Sequence, residues 1–285
     1  MKKKTVAVMM AALMAMGMMS AVSVQAGVED KTLIVGFDAE YPPYGYMDEN
    51  AEYTGFDLEL AEKVCELEGW ELEKKPINWD SKDMELNSGS IDCIWNGFTM
   101  NGREEEYTFS VPYVDNSQVI VVAEDSGIEK LTDLAGKTVG VQAASAALDV
   151  LQSEEEGGQK ELTDTFAALN EFADYNTAFT ELQAGALDAL AIDVGVAKYQ
   201  IKSRGEGFVM LDESLNTEQY AIGFKKGNDE LCDIVNADLQ KLADDGTVQE
   251  LAEKYEIDDM VSLGAAEENA EDAAEEAPAE EAAAE

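Results

Sequence analysis

The sequence predicts an α/β fold with two domains. Runs of β-forming apolar residues alternate with amphipathic helical patterns, which is typical of mostly parallel sheets flanked by helices. The stretch between the two compositionally biased ends, residues 27–264, is long enough for two small domains. Two extended stretches, Phe109–Ala123 and Leu215–Phe224, lack a helical pattern and could carry the chain between the domains.

Strands are predicted where Val, Ile and aromatic residues cluster between turn-forming residues. These segments are Thr32–Phe37, Trp70–Ile77, Ile91–Gly97, Gln118–Ala123, Thr138–Val141, Ala189–Asp193, Phe208–Leu211 and Ala221–Phe224. Helices are predicted where apolar residues recur at a spacing of three or four. Those segments are Phe56–Cys65, Ala178–Leu182, Glu230–Leu242 and Val248–Tyr255.

The N-terminal segment has the order of a secretory signal peptide. Lysines occupy residues 2–4, an apolar run extends from Thr5 to about Val24, and a small-residue cleavage site ends at Ala26. The alternative is an uncleaved membrane anchor, but the run is short for a span. Because no cysteine lies near this site, we expect an exported protein without the usual bacterial lipid attachment, periplasmic or extracellular at the cell surface.

The C-terminal segment, residues 265–285, consists almost entirely of alanine and acidic residues. It has no large apolar residue to bury, so we expect a disordered, solvated tail. A role as a spacer is the alternative.

The charge and residue composition exclude several classes of function. The chain has 61 acidic and 19 basic residues and a net charge of −42, so it lacks the basic face of a nucleic-acid binder. It has no histidine, which excludes Ser-His-Asp and Cys-His catalysis and histidine-ligated zinc. Its cysteines, Cys65, Cys93 and Cys232, form no CxxC pair, and we expect all three to be buried apolar residues. We predict no metal site and no cofactor.

Arg103 is a candidate ligand-binding residue because it follows the predicted strand Ile91–Gly97. Ligands bind at the carboxyl ends of strands in open α/β sheets. The planar guanidinium group can hold a carboxylate through two parallel hydrogen bonds. The alternative is a surface ion pair with the adjacent acids, residues 104–106.

Aromatic residues follow the first two predicted strands. Tyr41, Tyr44 and Tyr46 lie in a proline-containing turn, and Trp79 follows the second strand. Their rings offer flat faces to an apolar or cationic group. Packing in the core is the alternative for each ring.

Two further positions follow predicted strands of the second half. Ser145 precedes a helix, where backbone amides suit an anion, although a simple Ser N-cap is the alternative. Asp193 ends an apolar strand and could hold an ammonium group or cap the next helix. With Arg103 and the aromatic residues, these positions describe a site for a zwitterion.

The order of these segments resembles the polar amino-acid solute-binding proteins of bacterial ABC importers across about residues 31–262. The matching segments are residues 34–36, 41–44, 55–61, 79–80, 86–92, 97–99 with Arg103, 109–113, 131–142, 182–189 and 245–247. Each segment is weak evidence alone, but their shared order is specific.

The resemblance implies a type II periplasmic-binding-protein fold with the ligand in the cleft between two lobes. It implies lobe 1 at residues 31–116 and 218–262 and lobe 2 at 117–217, with hinge strands near 114–120 and 214–221.

The resemblance also implies roles for individual residues. Arg103, Thr99 and Ser145 would hold the ligand carboxylate. Asp193 would receive the ammonium group, with help from the Asn96–Gly97 region. Tyr41 and Trp79 would sandwich the side chain of the ligand, and Asp38 would line the pocket that holds this side chain.

Two departures from the family pattern concern this site. Family members commonly have four residues between the Thr and the Arg, whereas Met100, Asn101 and Gly102 make three here. We expect Gly102 to permit the tighter loop. In the second lobe, Ala144-Ser145-Ala146 stands where Gly-Thr/Ser-Thr is usual, so Ala146 has lost a hydroxyl group.

We therefore expect a monomeric, non-enzymatic binding protein that captures a free polar or cationic amino acid, including cystine, by lobe closure. Its partner would be the cognate ABC permease. The main alternative is an exported enzyme of the cyclohexadienyl-dehydratase type on the same fold. A sensor domain ranks lower, because no predicted membrane-spanning segment follows residues 27–264. An acidic calcium-linked surface protein also ranks lower, because the sequence has no EF-hand-type loop.

Overall fold

A computed structural model describes residues 32–205 and 207–264 of the chain. The predicted signal peptide and acidic tail lie outside the described residues. The strands in chain order are β1 (Thr32–Phe37), β2 (Glu40–Tyr41), β3 (Gly45–Met47), β4 (Tyr53–Thr54), β5 (Glu71–Pro76), β6 (Cys93–Ile94), β7 (Tyr107–Phe109), β8 (Val114–Ala123), β9 (Thr138–Gln142), β10 (Ala168–Phe172), β11 (Ala189–Asp193), β12 (Phe208–Tyr220) and β13 (Gly223–Lys225). The helices are α1 (Phe56–Glu68), α2 (Lys82–Ser88), α3 (Ala146–Gln152), α4 (Lys160–Thr163), α5 (Tyr175–Gln183), α6 (Val194–Arg204), α7 (Asp229–Asp244) and α8 (Thr247–Lys254).

The first lobe is built on a five-stranded sheet in the order β5-β1-β6-β13-β7. Strand β1 pairs in parallel with β5 and β6, and β13 pairs antiparallel with β6 and β7. Helix α1 packs against β1 and β5 and also contacts α7 and α8. The C-terminal helices therefore pack against the first lobe.

The second lobe repeats this arrangement in the order β10-β9-β11-β8-β12. Strand β9 pairs in parallel with β10 and β11, and β8 pairs antiparallel with β11 and β12. In each sheet four strands share one direction and one strand opposes them. The predicted α/β fold, with two lobes and mostly parallel sheets, is confirmed.

Strands β8 and β12 connect the two lobes as a long antiparallel pair. The pairing runs from Val114 opposite Tyr220 to Ala123 opposite Phe208, with shifts of register near Ser214. We call these two the crossover strands. They include most of the extended stretches singled out in the sequence, whereas the predicted domain boundaries stay a prediction.

Helix α1 illustrates how the sequence determines an element and its packing. Phe56, Leu60 and Val64 recur every four residues and are fully buried against the sheet of the first lobe. The helix ends at Gly69, which adopts φ of 69° and donates its N–H to the carbonyl of Cys65. Glycine enters this left-handed region without the steric cost that a Cβ brings.

The sequence analysis missed or misjudged several short elements. It did not predict the small sheet β2-β3-β4, because its strands are only two or three residues long. The predicted strand Ile91–Gly97 is limited to Cys93–Ile94, since the chain turns at Gly97 with φ of 54°. Strand β12 is much longer than the predicted Phe208–Leu211, because its polar residues pair with β8.

The three cysteines are free and buried, as predicted from the sequence. Burial raises the pKa of the Cys65 thiol to about 12 and that of Cys232 to about 11. Burial also raises the pKa of Cys93 well above its ordinary value. Among the described residues, no helix is both long and apolar enough to cross a bilayer.

We predict that the native chain reacts with thiol reagents only slowly at about pH 8, because the thiols are buried and remain protonated. A colorimetric thiol titration in native buffer and in denaturant checks this. The expected result is negligible early reaction in native buffer and all three thiols reactive after unfolding. Rapid labelling of the native chain, or fewer than three thiols in denaturant without reductant, would contradict the prediction.

Candidate ligand-binding site

Most of the predicted site residues line one narrow cleft between the lobes. The lobes lie close together there, and the free volume of the cleft is only about 10 Å³. Its lining residues are Tyr41, Trp79, Gly97, Thr99, Arg103, Gln142, Ser145, Ala146 and Asp193. The first five belong to the first lobe and the last four to the second. Two of the nine predicted residues, Asp38 and Asn96, do not line it.

Arg103 lies at the first-lobe wall of this cleft, with 13% of its side chain exposed. Its guanidinium donates from Nη1 to the carbonyl of Thr99 (3.3 Å) and from Nη2 to Oδ2 of Asp149 in α3 (2.7 Å). The guanidinium carbon also lies 5.1 Å from the centre of the Phe98 ring. Arg103 thus reaches across to the second lobe, instead of pairing with the acids at 104–106.

The loop that carries Arg103 contains two glycines with positive φ, Gly97 and Gly102. Gly97 adopts φ of 54°, and a Cβ there would lie 2.9 Å from the rings of Tyr41 and Tyr220. Gly102 adopts φ of 79°, which agrees with its predicted role in the shortened loop. In the facing loop Ala144 adopts φ of 55°, a conformation that the usual glycine would take without strain.

Asp57 supports the Gly97 loop from behind. Its carboxylate is fully buried in the first turn of α1 and accepts hydrogen bonds from the Gly97 N–H (2.6 Å) and the Tyr113 hydroxyl (2.9 Å). Burial raises the pKa of Asp57 to about 7, and the two hydrogen bonds only partly oppose this. The position of Gly97 therefore depends on a carboxyl group that changes charge near neutral pH.

Asp193 lies at the second-lobe wall and is 3% exposed. Its Oδ1 accepts hydrogen bonds from Asn116 Nδ2 (2.9 Å), Gln118 Nε2 (2.6 Å) and the Tyr220 hydroxyl (2.6 Å). Asp193 is the N-cap residue of α6, but its side chain makes no capping hydrogen bond. The side chain is thus held by the crossover strands and directed to the cleft.

The sequence analysis missed the polar residues of the crossover strands. Asn116, Gln118 and Glu218 are all buried next to Asp193. Thr99, one of the predicted site residues, donates its hydroxyl proton to Oε1 of Glu218 (2.7 Å). One feature of the sequence could have indicated these residues: amide and acidic side chains interrupt the extended stretches that cross between the lobes.

Ser145 acts as the N-cap of α3, which was the alternative considered from the sequence. Its Oγ accepts the N–H of Leu148 (3.2 Å) and donates to the carbonyl of Gln142 (2.8 Å). Ser145 lines the cleft, but its hydroxyl proton is already used in the hydrogen bond to Gln142 within the second lobe. Its predicted role toward a ligand carboxylate stays a prediction.

The predicted aromatic pair lines the cleft from the first lobe. The ring of Tyr41 lies 5.9 Å from that of Tyr44 and 6.0 Å from that of Tyr175, measured between centres. Trp79 packs edge-on against Phe98 at 5.8 Å. Tyr41 and Trp79 thus offer ring surface to the cleft while other aromatic residues fix their positions.

Asp38 and Asn96 form a buried pair beside the cleft. The Asp38 backbone N–H donates to Asn96 Oδ1 (2.9 Å), and its carboxylate accepts from Gln142 Nε2 (2.6 Å) and the Glu40 N–H (2.9 Å). Burial raises the pKa of Asp38 to about 6. Asn96 thus positions Asp38 from behind, and its predicted ligand contact stays a prediction.

Asp38 and Trp79 also line a larger open pocket that adjoins the cleft. The acidic residues around this pocket are Asp38, Glu40, Asp80, Glu85, Glu171 and Asp174. None of the residues that line it carries a positive charge. The pocket therefore favours a cationic group electrostatically.

The lobes contact each other on several sides of the cleft. Gln142 bonds to Asp38 as described, and Lys82 Nζ donates to the carbonyl of Ala144 (3.1 Å). Lys198 in α6 pairs with Asp259 (2.6 Å). Among the described residues, no group of three or more His, Cys, Asp or Glu side chains is arranged to hold a metal ion.

Two α/β lobes joined by paired crossover strands, with a charged cleft between them, define a two-lobed solute-binding protein. The chain belongs to the bacterial extracellular solute-binding proteins, family 3, whose family model matches residues 33–258.

Characterised proteins of this kind are similar along most of the chain. The L-cystine-binding protein TcyJ of Escherichia coli is 29% identical over 80% of this chain and 83% of its own length. The arginine-binding extracellular protein ArtP of Bacillus subtilis is 32% identical over 89% of this chain and 98% of its own. A histidine-bound substrate-binding protein from Streptococcus pneumoniae has a TM-score of 0.77 and 33% identity, covering 81% of this chain and 95% of its own.

Asp57 predicts a pH dependence of stability. Its pKa rises from 3.8 in the unfolded chain to about 7, so its stabilising contribution is full below pH 3.8 and is lost as pH rises through about 7. Burial also raises the pKa of Asp38, to about 6, so Asp38 likewise stabilises the folded chain more at low pH and loses this contribution as pH rises through about 6. We expect the free energy of unfolding to be larger at about pH 5 than at about pH 8, with Asp57 contributing on the order of 3 kcal/mol at most to this difference.

Urea unfolding of the parent chain and of Asp57→Asn at both pH values checks this. Asparagine can accept the Gly97 N–H and donate to Tyr113, so the variant should fold and should show a smaller pH dependence. Asp212→Asn, at an exposed position of β12, is the matched control and should behave as the parent. An unchanged pH dependence in Asp57→Asn would contradict the assignment.

Proposed function

We propose that this chain is an exported solute-binding protein that captures a free polar or cationic amino acid and delivers it to an ABC permease. The observation that carries the proposal is the placement of opposite charges on the two walls of one cleft. Arg103 lies on the first-lobe wall and Asp193 on the second. An α-amino acid carries the complementary carboxylate and ammonium groups on a single carbon.

The guanidinium of Arg103 would hold the ligand carboxylate. It has five N–H donors, and the contacts to Thr99 and Asp149 use only two of them. The Asp149 side chain is 64% exposed, so its ion pair with Arg103 is weak and exchangeable. A ligand carboxylate deeper in the cleft would be less screened by water and would be bound more strongly.

The carboxylate of Asp193 would hold the ligand ammonium group. All three of its hydrogen bonds go to Oδ1, and Oδ2 accepts none from the residues that the structure describes. Oδ2 is therefore the atom available to an ammonium donor at the cleft. The three buried donors on Oδ1 fix the orientation of the carboxylate.

The adjoining acidic pocket favours a ligand with a cationic or polar side chain. Tyr41 and Trp79 would contact the apolar part of that side chain, and Asp38 would face its end. The names of the relatives agree with this class, since they specify arginine, cystine and histidine as ligands.

Binding would proceed by closure of the lobes. A ligand docked on the first lobe would be enclosed when the second lobe swings about the crossover strands. The closed form of a monomer would then be presented to the permease. The predicted signal peptide supports export to the periplasm or the cell surface.

The cyclohexadienyl-dehydratase-like alternative is not favoured, because the relatives described above are named as binding proteins. Assaying the purified chain for prephenate or arogenate turnover distinguishes the two functions. We expect no turnover.

A thermal-shift screen with L-arginine, L-lysine, L-histidine, L-cystine and L-glutamate tests the proposal. A ligand that binds only the folded chain adds about 2.7 kcal/mol at a concentration of 100 times Kd, which raises Tm. We expect a shift with at least one cationic amino acid or cystine and none with L-glutamate. No shift with any of the first four would contradict the inferred preference for a cationic amino acid or cystine.

Removing Arg103 should weaken binding strongly. Arg103→Ala leaves a buried ligand carboxylate without its partner, which costs about 2–5 kcal/mol, or roughly 1.5–3.5 decades in Kd. Isothermal titration calorimetry with L-arginine measures the loss. Arg204→Ala, at the C-terminal end of α6, removes the same charge outside the cleft and should retain the parent's Kd. Equal Kd values for Arg103→Ala and the parent would refute the role of Arg103.

A further inference from the structure

Glu218 is a buried acidic residue on crossover strand β12, outside the set predicted from the sequence. It is 4% exposed. Its Oε1 accepts hydrogen bonds from Thr99 Oγ1 (2.7 Å), Asn116 Nδ2 (2.9 Å) and Gln118 Nε2 (2.7 Å). One carboxylate oxygen thus connects the first-lobe loop to the other crossover strand.

Glu218 and Asp193 share their hydrogen-bond donors. Asn116 Nδ2 and Gln118 Nε2 each donate to both carboxylates, at distances between 2.6 and 2.9 Å. The two acidic groups therefore lie close together, bridged by two amide groups. Neither forms an ion pair with a lysine or arginine in residues 32–205 and 207–264.

Two neighbouring carboxylates in a site shielded from water do not both stay charged without a cation. Burial, followed by the charge of Asp193, raises the pKa of Glu218 above its ordinary value. Amide donors ease the cost of one negative charge, but they supply no positive charge. The cluster therefore needs either a proton or a cation.

The other titratable groups that face the pair do not meet this need. These are the tyrosines at positions 41, 44, 175 and 220, and burial raises the pKa of each well above its ordinary value. They stay neutral in the physiological range. Arg103 lines the same cleft but bonds to Thr99 and Asp149, and Asp38 lies beside the cleft next to Gln142.

We propose that Asp193 and Glu218 form one ammonium-binding pair that holds a single proton, which the ligand ammonium group replaces on binding. The proposal rests on the proposed function, because it needs a ligand with an ammonium group. Charge balances in this exchange: the pair goes from one negative charge to two, the ammonium supplies one positive charge, and the proton leaves to solvent. Glu218 is a positioning residue. It acts on Asp193 through Asn116 and Gln118, which donate hydrogen bonds to both carboxylates.

The exchange makes affinity depend on pH in one direction. Where the pair holds its proton, the ligand must displace it, so binding weakens as pH falls. Because one proton is released for each ligand bound, Kd changes by up to about tenfold per pH unit in this range. At higher pH, where the pair is already deprotonated, Kd no longer depends on pH. A purely structural role for Glu218 would change Kd by the same factor at every pH.

Calorimetry with L-arginine over about pH 5–8 tests the exchange. Titrations in phosphate and in Tris, which differ in ionisation enthalpy, count the protons released. For the parent chain we expect up to about one proton released per ligand and a Kd that falls as pH rises. Glu218→Gln should release fewer protons and show a flatter pH profile. Glu213→Gln, an exposed position on the same strand, should match the parent.

Infrared difference spectroscopy of the parent chain gives an independent measurement if Glu218→Gln does not fold. Ligand binding should remove the C=O band of a protonated carboxyl group. Binding heat without proton release, an unchanged pH profile in Glu218→Gln, or no loss of this band overturns the exchange alone. Absence of binding heat with L-arginine and the other amino acids overturns the proposed function as well, so the two failures are distinguishable.

Discussion

Two carboxylates buried side by side at the crossover strands constrain the rest of the cleft. Asp193 and Glu218 are almost inaccessible to water, and the amide donors Asn116 and Gln118 hold both of them. Such a cluster is costly unless a positive charge or a proton balances it. The cleft is consequently arranged for a cation at this end, and Arg103 at its other wall suits an anion. Under the proposed function, an α-amino acid would match this separation of charge.

The fold provides this separation because each lobe contributes one charge, from a loop in the first lobe and from a strand end in the second. Arg103 follows β6 of the first lobe, and Asp193 ends β11 of the second. Residues of the crossover strands hold the Asp193 carboxylate through three hydrogen bonds, so in the proposed closure the arginine wall would approach a carboxylate that is already oriented. Asp57 and Asn96 support the first-lobe wall from behind through hydrogen bonds to backbone groups.

Sequence reasoning predicted the layers of the fold well and the polar interior poorly. Strand β1 and helix α1 follow from local patterns of apolar residues, and the cleft residues follow from their positions after strands. The small sheet β2-β3-β4 is too short to give a periodic signal. Glu218 was missed because burial of an acid depends on tertiary contacts with Asn116 and Gln118 that are about a hundred residues away in the sequence.

A crystal structure of the chain with L-arginine tests the central claim most directly, because it locates both charged ends of the ligand. The account predicts the ligand carboxylate within hydrogen-bonding distance of the Arg103 guanidinium and the ammonium group beside Oδ2 of Asp193. A ligand bound in the reverse orientation, or bound outside the cleft while Arg103 stays paired with Asp149, would contradict it.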